Sequence, residues 1–299
     1  MDAQHPAKEM TFHIRRFDPE KDERPHWQSY TLVVEHGMTV LDALHRIKET
    51  LDQTLVYRYS CRMGICGSCA MLVNGKPLLA CNTQVFSVSE TILAIAPLPN
   101  FAIIKDLVPD LRPMLEKHRS IQPWIQRPNV AELESPEGEF KQTPEEMERY
   151  LQFAYCIKCG ACMAACPTLA TDENYLGPMP LAQAYRYCTD TRDQGFHNRK
   201  QVAGAGHGAY RCHYAGECSR VCPKGVDPAR AIQLMKRRLV FDYVRLYRLH
   251  KPAPLLGADP EAKRRPDVPA APPYTVEQPA GNGCNACSAT STKPAGQSS

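Results

Sequence analysis

Residues 156–167 have the sequence Cys156-Ile-Lys-Cys159-Gly-Ala-Cys162-Met-Ala-Ala-Cys166-Pro167. Three cysteines follow one another at three-residue intervals, a fourth comes four residues later, and a proline closes the segment. This is the bacterial ferredoxin spacing for iron–sulfur ligation, in which the fourth thiolate binds a different cluster. A zinc site more often uses two separated Cys-x-x-Cys pairs, so this crowding of thiolates favours an iron–sulfur cluster.

A second copy of the pattern begins at Cys212, with the sequence Cys212-His-Tyr-Ala215-Gly-Glu-Cys218-Ser-Arg-Val-Cys222-Pro223. It matches the first copy cysteine for cysteine, except that Ala215 stands where the first copy has Cys159. Two ferredoxin-type half-sites in one chain predict an all-α domain with two clusters and crossed ligation.

Crossed ligation divides the cysteines of the two copies into two sets. A complete [4Fe–4S] set consists of Cys156, Cys159, Cys162 and Cys222. The thiolates that remain for the other cluster are Cys166, Cys212 and Cys218. A site with three thiolates holds either a [3Fe–4S] cluster or a cubane with one open iron. Because alanine offers no replacement donor, we favour [3Fe–4S].

The first hundred residues have the pattern of a small β-grasp domain. Apolar and polar residues alternate over 10–17 and 28–36, which predicts two antiparallel strands. A helix is expected after Thr39, which is a suitable N-cap residue. Further strands are expected at 70–73 and 91–96.

The loop that follows this helix contains a third group of cysteines, Cys61-Arg-Met-Gly64-Ile-Cys66-Gly67-Ser-Cys69. This is the plant-type spacing for a [2Fe–2S] cluster, and Cys81 is the fourth candidate ligand. The gap from Cys69 to Cys81 is shorter than in plant ferredoxins, which place their last cysteine farther along the chain. The two glycines allow the backbone to wrap closely and to direct N–H groups at the sulfur atoms.

A chain of 299 residues is long enough for two domains. We expect a [2Fe–2S] domain with its connector over 1–120 and a two-cluster helical domain over 121–251. Residues 252–299 are rich in Pro, Ala, Gly and Ser and are predicted to be disordered, and they contain a lone pair, Cys284 and Cys287. The overall class is therefore α+β.

Three helices of the second domain have recognisable features. Thr143-Pro-Glu-Glu146 is typical of a helix start, and the apolar stripe expected on that helix is Met147, Leu151 and Ala154. Residues 180–191 are helical in pattern, and Cys188 within them is expected to be a small core residue. The last helix should begin at Asp227-Pro228 and end near His250. Its basic residues form either a solvated face or a contact with an anionic leaflet or with the cytoplasmic face of a membrane subunit. They are Lys236, Arg237, Arg238, Arg245, Arg248 and Lys251.

Composition excludes several classes of protein. Fourteen cysteines without a secretory signal argue against a disulfide framework and for thiolates that hold metal in a reducing compartment. No run of about eighteen apolar residues predicts a membrane span. The net charge of +4 is too small to indicate nucleic-acid binding.

With its three cysteine groups, the chain resembles the iron–sulfur subunits of succinate dehydrogenases and fumarate reductases over about residues 10–250. The most specific segments are residues 60–69, the segment from Cys156, Asp190-Thr-Arg-Asp193, and residues 218–228. The resemblance implies a flavoprotein partner with covalently bound FAD, on which succinate and fumarate interconvert. It also implies one or two integral-membrane anchor subunits, with or without haem b.

The same resemblance implies a route for electrons and a location. Electrons would pass between the FAD and a membrane quinone through [2Fe–2S], [4Fe–4S] and [3Fe–4S] clusters. The subunit would be peripheral, on the cytoplasmic face of the inner (plasma) membrane. The residues implied near the quinone are Pro167, Thr168, His213 and Lys224. Some succinate dehydrogenases carry aromatic residues just after the Cys-Pro, where this chain has Leu169-Ala-Thr171.

Two alternatives differ from this interpretation. The first is the iron–sulfur subunit of another flavoprotein oxidoreductase, such as a thiol-dependent fumarate reductase or a glycolate-oxidase-like complex. Those relatives tend to add a further cysteine-rich domain, and the tail offers only one cysteine pair. The second is a zinc-stabilised interaction module, which would be colourless, whereas an iron–sulfur protein is brown.

Overall fold

The fold is described from a computed structural model, which describes residues 7–129, 138–244 and 255–257. The predicted end of the last helix near His250 lies outside the described residues. So do Cys284, Cys287 and most of the tail that was predicted to be disordered.

The first domain is built on a five-stranded mixed sheet with the strand order β2-β1-β5-β3-β4. The strands are β1 (Lys8–Arg16), β2 (His26–Val34), β3 (Ala70–Val73), β4 (Lys76–Leu79) and β5 (Ile92–Ala96). β1 pairs antiparallel with β2 and parallel with β5, and β3 is antiparallel to both of its neighbours. The predicted strands are present, within two residues at each end.

Helix α1 (Val40–Thr50) packs against this sheet, as expected for a β-grasp domain. It begins with a capping box, since Thr39 accepts from the Asp42 N–H and the Asp42 carboxylate accepts from the Thr39 N–H. Its apolar face, which includes Leu41, Leu44 and Ile47, is buried in the core of the domain. The Cys61 loop follows, and the short helix α2 (Val85–Val88) lies between β4 and β5.

A connecting segment joins this domain to the helical one. It contains β6 (Ile103–Lys105), β7 (Val108–Pro109) and α3 (Arg112–Ser120). Met114 and Ile121 lie on either side of the expected boundary at residue 120, and both are buried in the core of the helical domain. α3 therefore packs with the second domain, and the boundary itself stays a prediction.

The second domain consists largely of helices, several of them very short. They are α4 (Pro144–Ala154), α5 (Ala161–Ala164), α6 (Pro167–Thr171), α7 (Pro178–Thr189), α8 (Phe196–Ala203), α9 (Glu217–Arg220) and α10 (Pro228–Tyr243). α4 and α10 both pack on α7, and Cys188 of α7 is buried among core residues as expected. None of the helices in the described ranges is long and apolar enough to cross a membrane.

Two expectations for this domain need correction. The buried face of α4 is formed by Tyr150 and Phe153, while Met147 is 41% exposed, so the predicted stripe was rotated around the helix. Tyr150 can lie on the buried face because its hydroxyl donates to Gln142 and so is not left without a partner.

The domain is also not purely helical. Strands β8 (Gly138–Phe140) and β9 (Leu255–Gly257) form a two-stranded sheet, and β9 belongs to the segment predicted to be disordered. Strands of three residues are too short to show an alternating pattern in the sequence.

Candidate iron–sulfur centres

The Cys61–Cys69 loop surrounds its thiols with backbone N–H donors. Cys61 Sγ accepts from the N–H groups of Ile65 and Cys66, both at 3.3 Å, and of Met63 at 3.5 Å. Cys81 Sγ accepts from the Gly64 N–H at 3.2 Å. The loop therefore brings together the four cysteines predicted for the [2Fe–2S] cluster, and Gly64 has the expected role of N–H donor.

The electrostatic environment differs between thiols of this loop. The backbone N–H bonds, that of Met63 first, lower the pKa of Cys61 to about 6. Burial raises the pKa of Cys69 to about 12. N–H donors favour thiolate sulfur, and a bound metal deprotonates a coordinating thiol outright. The donor set fits an iron–sulfur cluster, with Cys61 already disposed to ligate.

The internal repeat of the second domain extends to its backbone. Lys158 and Tyr214, each two residues after the first cysteine of its copy, adopt positive φ angles of 56° and 62°. Gly160 and Gly216 follow with φ of 86° and 79°. A four-residue helix starts directly after each glycine. The two half-sites therefore have the same local conformation, and Ala215 occupies the place of Cys159 in it.

The four cysteines of the predicted [4Fe–4S] set line one cavity. Its other lining residues include Ile157, Met179, Val226 and Pro228. Burial raises the pKa of Cys159 to about 11 and that of Cys162 well above its usual value. No three His, Cys, Asp or Glu side chains of the described residues converge on a single point suited to one metal ion. Thiols spaced around a cavity suit a cluster, which brings its own irons and sulfides.

The three cysteines that remain line a second cavity. It is bounded by Cys166, Cys212 and Cys218, and Ala215 also lines it. The Tyr214 N–H donates to Cys212 Sγ at 3.4 Å. Burial raises the pKa of Cys218 to about 11. Cys162 and Cys166 lie close in sequence yet line different cavities, as crossed ligation requires.

Tyr175 also lines this second cavity, and sequence reasoning missed it. Its side chain is completely buried, and its hydroxyl makes no hydrogen bond to a nitrogen or oxygen atom of the described residues, so that the Cys212 thiol is the hydrogen-bonding group beside it. Burial, followed by the neighbouring Cys212 thiol, raises the pKa of that hydroxyl. A buried donor that faces sulfur fits a cavity that holds a sulfur-rich group. No motif marked this residue, because it lies in a loop outside both cysteine copies.

One residue joins the first loop to the first cavity. A Cβ atom added to Gly67 would lie 2.7 Å from Cys159 Cβ and 2.9 Å from Cys159 Cα. Only glycine permits such a close approach, and its φ of +76° also disfavours any other residue. Gly67 thus has a role that the cysteine spacing did not predict, that of direct contact between two cysteine sites, while its role as an N–H donor stays a prediction.

The four residues expected near a quinone do not all lie together. Pro167 and Thr168 line the second cavity, but Lys224 lines the first cavity instead. His213 is exposed beside Cys212 and lines neither cavity. The role of these four residues stays a prediction.

The basic residues of α10 are partly engaged with the protein itself. Lys236 Nζ donates to the Cys212 carbonyl at 2.8 Å, and Arg238 is 7% exposed and donates to the Cys188 carbonyl. Arg245, Arg248 and Lys251 lie outside the described residues. A continuous basic face directed at a membrane is therefore not formed by Lys236 and Arg238.

Comparisons with known proteins agree with both domains. Residues 11–116 match the family model of the 2Fe-2S iron-sulfur cluster binding domain, and residues 152–226 match that of the 4Fe-4S dicluster domain. The chain is 44% identical to the fumarate reductase iron-sulfur subunit of Mycobacterium tuberculosis over 223 residues, which are 75% of this chain and 90% of that one.

The relatives include subunits of succinate dehydrogenase as well as of fumarate reductase. Identity is 41% to the mitochondrial succinate dehydrogenase [ubiquinone] iron-sulfur subunit of Candida glabrata, over 78% of this chain and 92% of that one. Among solved structures, a chain of the Mycobacterium smegmatis Sdh1 complex in the apo form matches with a TM-score of 0.68 and 29% identity. That match covers 79% of this chain and 97% of the other.

Proposed function

This chain belongs to the family of fumarate reductase and succinate dehydrogenase iron–sulfur subunits, and we propose that it carries electrons between a flavoprotein and a membrane quinone. In this proposal the four loop cysteines hold a [2Fe–2S] cluster, and the two cavities hold a [4Fe–4S] and a [3Fe–4S] cluster. The dicarboxylate chemistry takes place on the covalent FAD of the flavoprotein. The chain acts as a peripheral subunit on the cytoplasmic face, held by one or two membrane anchor subunits.

The observation that carries the proposal is the continuous row of three cysteine sites. Gly67 of the loop lies against Cys159 of the first cavity. Cys162 of that cavity and Cys166 of the next are joined by the single turn of α5. A row of closely spaced sites is what electron transfer requires, whereas a zinc-stabilised interaction module has no need of it.

When bound, each cluster supplies a centre that accepts and returns one electron at a time. The residues of this chain bury those centres and set how readily they are reduced. Backbone N–H groups such as those of Gly64 and Tyr214 donate to ligand sulfur, which favours the more negative, reduced state. The apolar lining by Met179 and Val226 excludes water from the first cavity.

The two ends of the row are suited to different partners. Around the loop, Tyr59, Met63 and Ile65 are 46%, 70% and 54% exposed, an apolar surface suited to a protein partner such as the flavoprotein. At the other end, Tyr214 is 60% exposed beside the second cavity, which supports placing the quinone and the anchor subunits there.

The test is electron paramagnetic resonance on the complex purified from membranes. The oxidised complex should show a [3Fe–4S] signal, and Ala215→Cys should abolish it by supplying the fourth ligand. Ala170→Cys is the matched control, because it adds an exposed thiol on α6 that lines neither cavity. An oxidised complex without the signal contradicts the three-iron assignment. Absence of a flavoprotein from the purified complex contradicts the proposed function as a whole.

A further inference from the structure

Tyr175 is placed as a hydrogen-bond donor toward the second cavity. Its side chain is completely buried, and the residue lines the cavity together with Cys166, Cys212 and Cys218, whose thiols lie beside its hydroxyl. A buried hydroxyl needs an acceptor, and sulfur is the acceptor that its surroundings offer. A phenol has an ordinary pKa of about 10 and is therefore a donor at neutral pH.

The loop that carries Tyr175 is fixed on both sides, which holds the hydroxyl in place. The Tyr175 carbonyl accepts from Lys117 Nζ of α3 at 2.8 Å. The Leu176 N–H donates to the His207 carbonyl at 2.8 Å. The Asp172 carboxylate accepts from Arg211 Nε at 2.9 Å, just before Cys212. The loop is thus tied to the segment that delivers a predicted ligand.

The two cavities differ in this respect. Among the described residues, no hydroxyl side chain lines the first cavity. The second cavity has three hydroxyl residues, Thr168, Tyr175 and Tyr214, of which Tyr214 is 60% exposed and Tyr175 is completely buried. Burial raises the pKa of Cys166, against the opposing hydrogen bonds from the backbone of Leu169 and from the backbone and side chain of Thr168. Tyr175 lies on the loop between α6 and α7, outside both cysteine copies. Its donor is therefore additional to those near the ligands in sequence.

We propose that Tyr175 donates its hydroxyl hydrogen bond to the sulfur atoms of the cluster held by Cys166, Cys212 and Cys218, and so raises the reduction potential of that centre. The inference rests on the proposed function. Reduction adds one electron to the cluster and makes its sulfur atoms more negative, so a fixed donor stabilises the reduced state more than the oxidised state. Tyr175 thus sets the reduction potential of this centre through a direct hydrogen bond.

The experiment is a redox titration of the complete complex with Tyr175→Phe, followed through the [3Fe–4S] signal. Phenylalanine keeps the buried ring and removes only the hydroxyl. The equilibrium of the three-iron centre should shift toward the oxidised form by roughly tenfold, which for one electron is about 59 mV. The other two centres should keep their potentials. The matched control is Tyr150→Phe, which removes a hydroxyl bonded to Gln142 and away from both cavities.

The outcomes separate this inference from the proposed function. If the unmodified complex lacks a three-iron signal, the cluster assignment fails, and this inference fails with it. If the signal is present and Tyr175→Phe behaves like Tyr150→Phe, the inference alone is overturned.

If the complex that carries Tyr175→Phe does not assemble, 3-fluorotyrosine incorporated at position 175 tests the same hydrogen bond while the hydroxyl is retained. Its phenol is a stronger donor, so the potential of the three-iron centre should rise. An unchanged potential overturns the proposal.

Discussion

The Cys61 thiol of the first domain and the thiols of the first cavity in the helical domain have opposite electrostatic surroundings. In the loop, Cys61 is partly exposed and N–H bonds lower its pKa to about 6. In the first cavity, burial raises the pKa of Cys159 to about 11 and leaves Cys162 at 9% exposure. Backbone dipoles alone therefore favour the thiolate of Cys61, whereas burial favours the neutral thiols of Cys159 and Cys162, as it does for Cys69 within the loop itself. A bound metal would replace those protons.

The secondary structure that supports the cysteines also differs between the two regions. The loop is attached to a five-stranded sheet with a core of its own, in which Phe12, Ile14 and Leu44 are fully buried. The cavities are lined by the longer helices α7 and α10 and by α5, α6 and α9, which have four or five residues and are far below the length at which an isolated helix is stable. We therefore expect the first domain to fold before it receives a cluster, and the short helices α5, α6 and α9 around the cavities to depend on bound clusters for their stability.

Removal of iron tests this difference most strongly. Anaerobic chelation should open α5, α6 and α9 and leave the sheet of the first domain folded. Amide hydrogen exchange should lose protection in these helices by roughly a hundredfold or more, because metal-linked folding energies reach about 10 kcal/mol. β1 and β5 should keep their protection. Equal loss of protection in both domains would contradict the distinction.

The contact between the two regions can be broken by a single methyl group. Gly67→Ala places a Cβ 2.7 Å from Cys159 Cβ at a φ of +76°. The backbone conformation costs about 1–2 kcal/mol for an L-residue, and the overlap adds about 1–3 kcal/mol. Urea unfolding of the cluster-loaded protein should show the loss of stability, together with a changed signal of the reduced [4Fe–4S] centre.

Gly75→Ala is the matched control for that variant. Gly75 has the same φ of +76°, and a Cβ there meets nothing within 4 Å. Its substitution should therefore lower the free energy of unfolding only by the strain of the backbone conformation and leave every cluster signal unchanged. If both variants lose the same free energy, the contact with Cys159 has no steric importance.

Sequence patterns predicted features that depend on short stretches of chain. The strands of the sheet, the N-cap residues Thr39 and Thr143 and the repeated half-site all follow from local periodicity or spacing. The contact between Gly67 and Cys159 could not be predicted, because it joins residues far apart in the chain. The Tyr175 hydroxyl and the displacement of Lys224 to the first cavity depend likewise on how separate loops pack.

The smallest effect compares the two helix caps. Thr39→Ala and Thr143→Ala each remove a capping box, at the start of α1 and α4 respectively, and each should cost about 1 kcal/mol. The same loss of free energy should appear as a lower urea midpoint in the first domain and as faster loss of clusters in the second. Thr39→Ala should lower the urea midpoint of the first domain while all clusters are retained. Thr143→Ala weakens the helix that leads into Cys156, and because folding there is coupled to metal, visible bleaching should proceed roughly fivefold faster. Equal bleaching rates in the two variants would mean that the two domains do not differ in how strongly their stability is coupled to bound clusters.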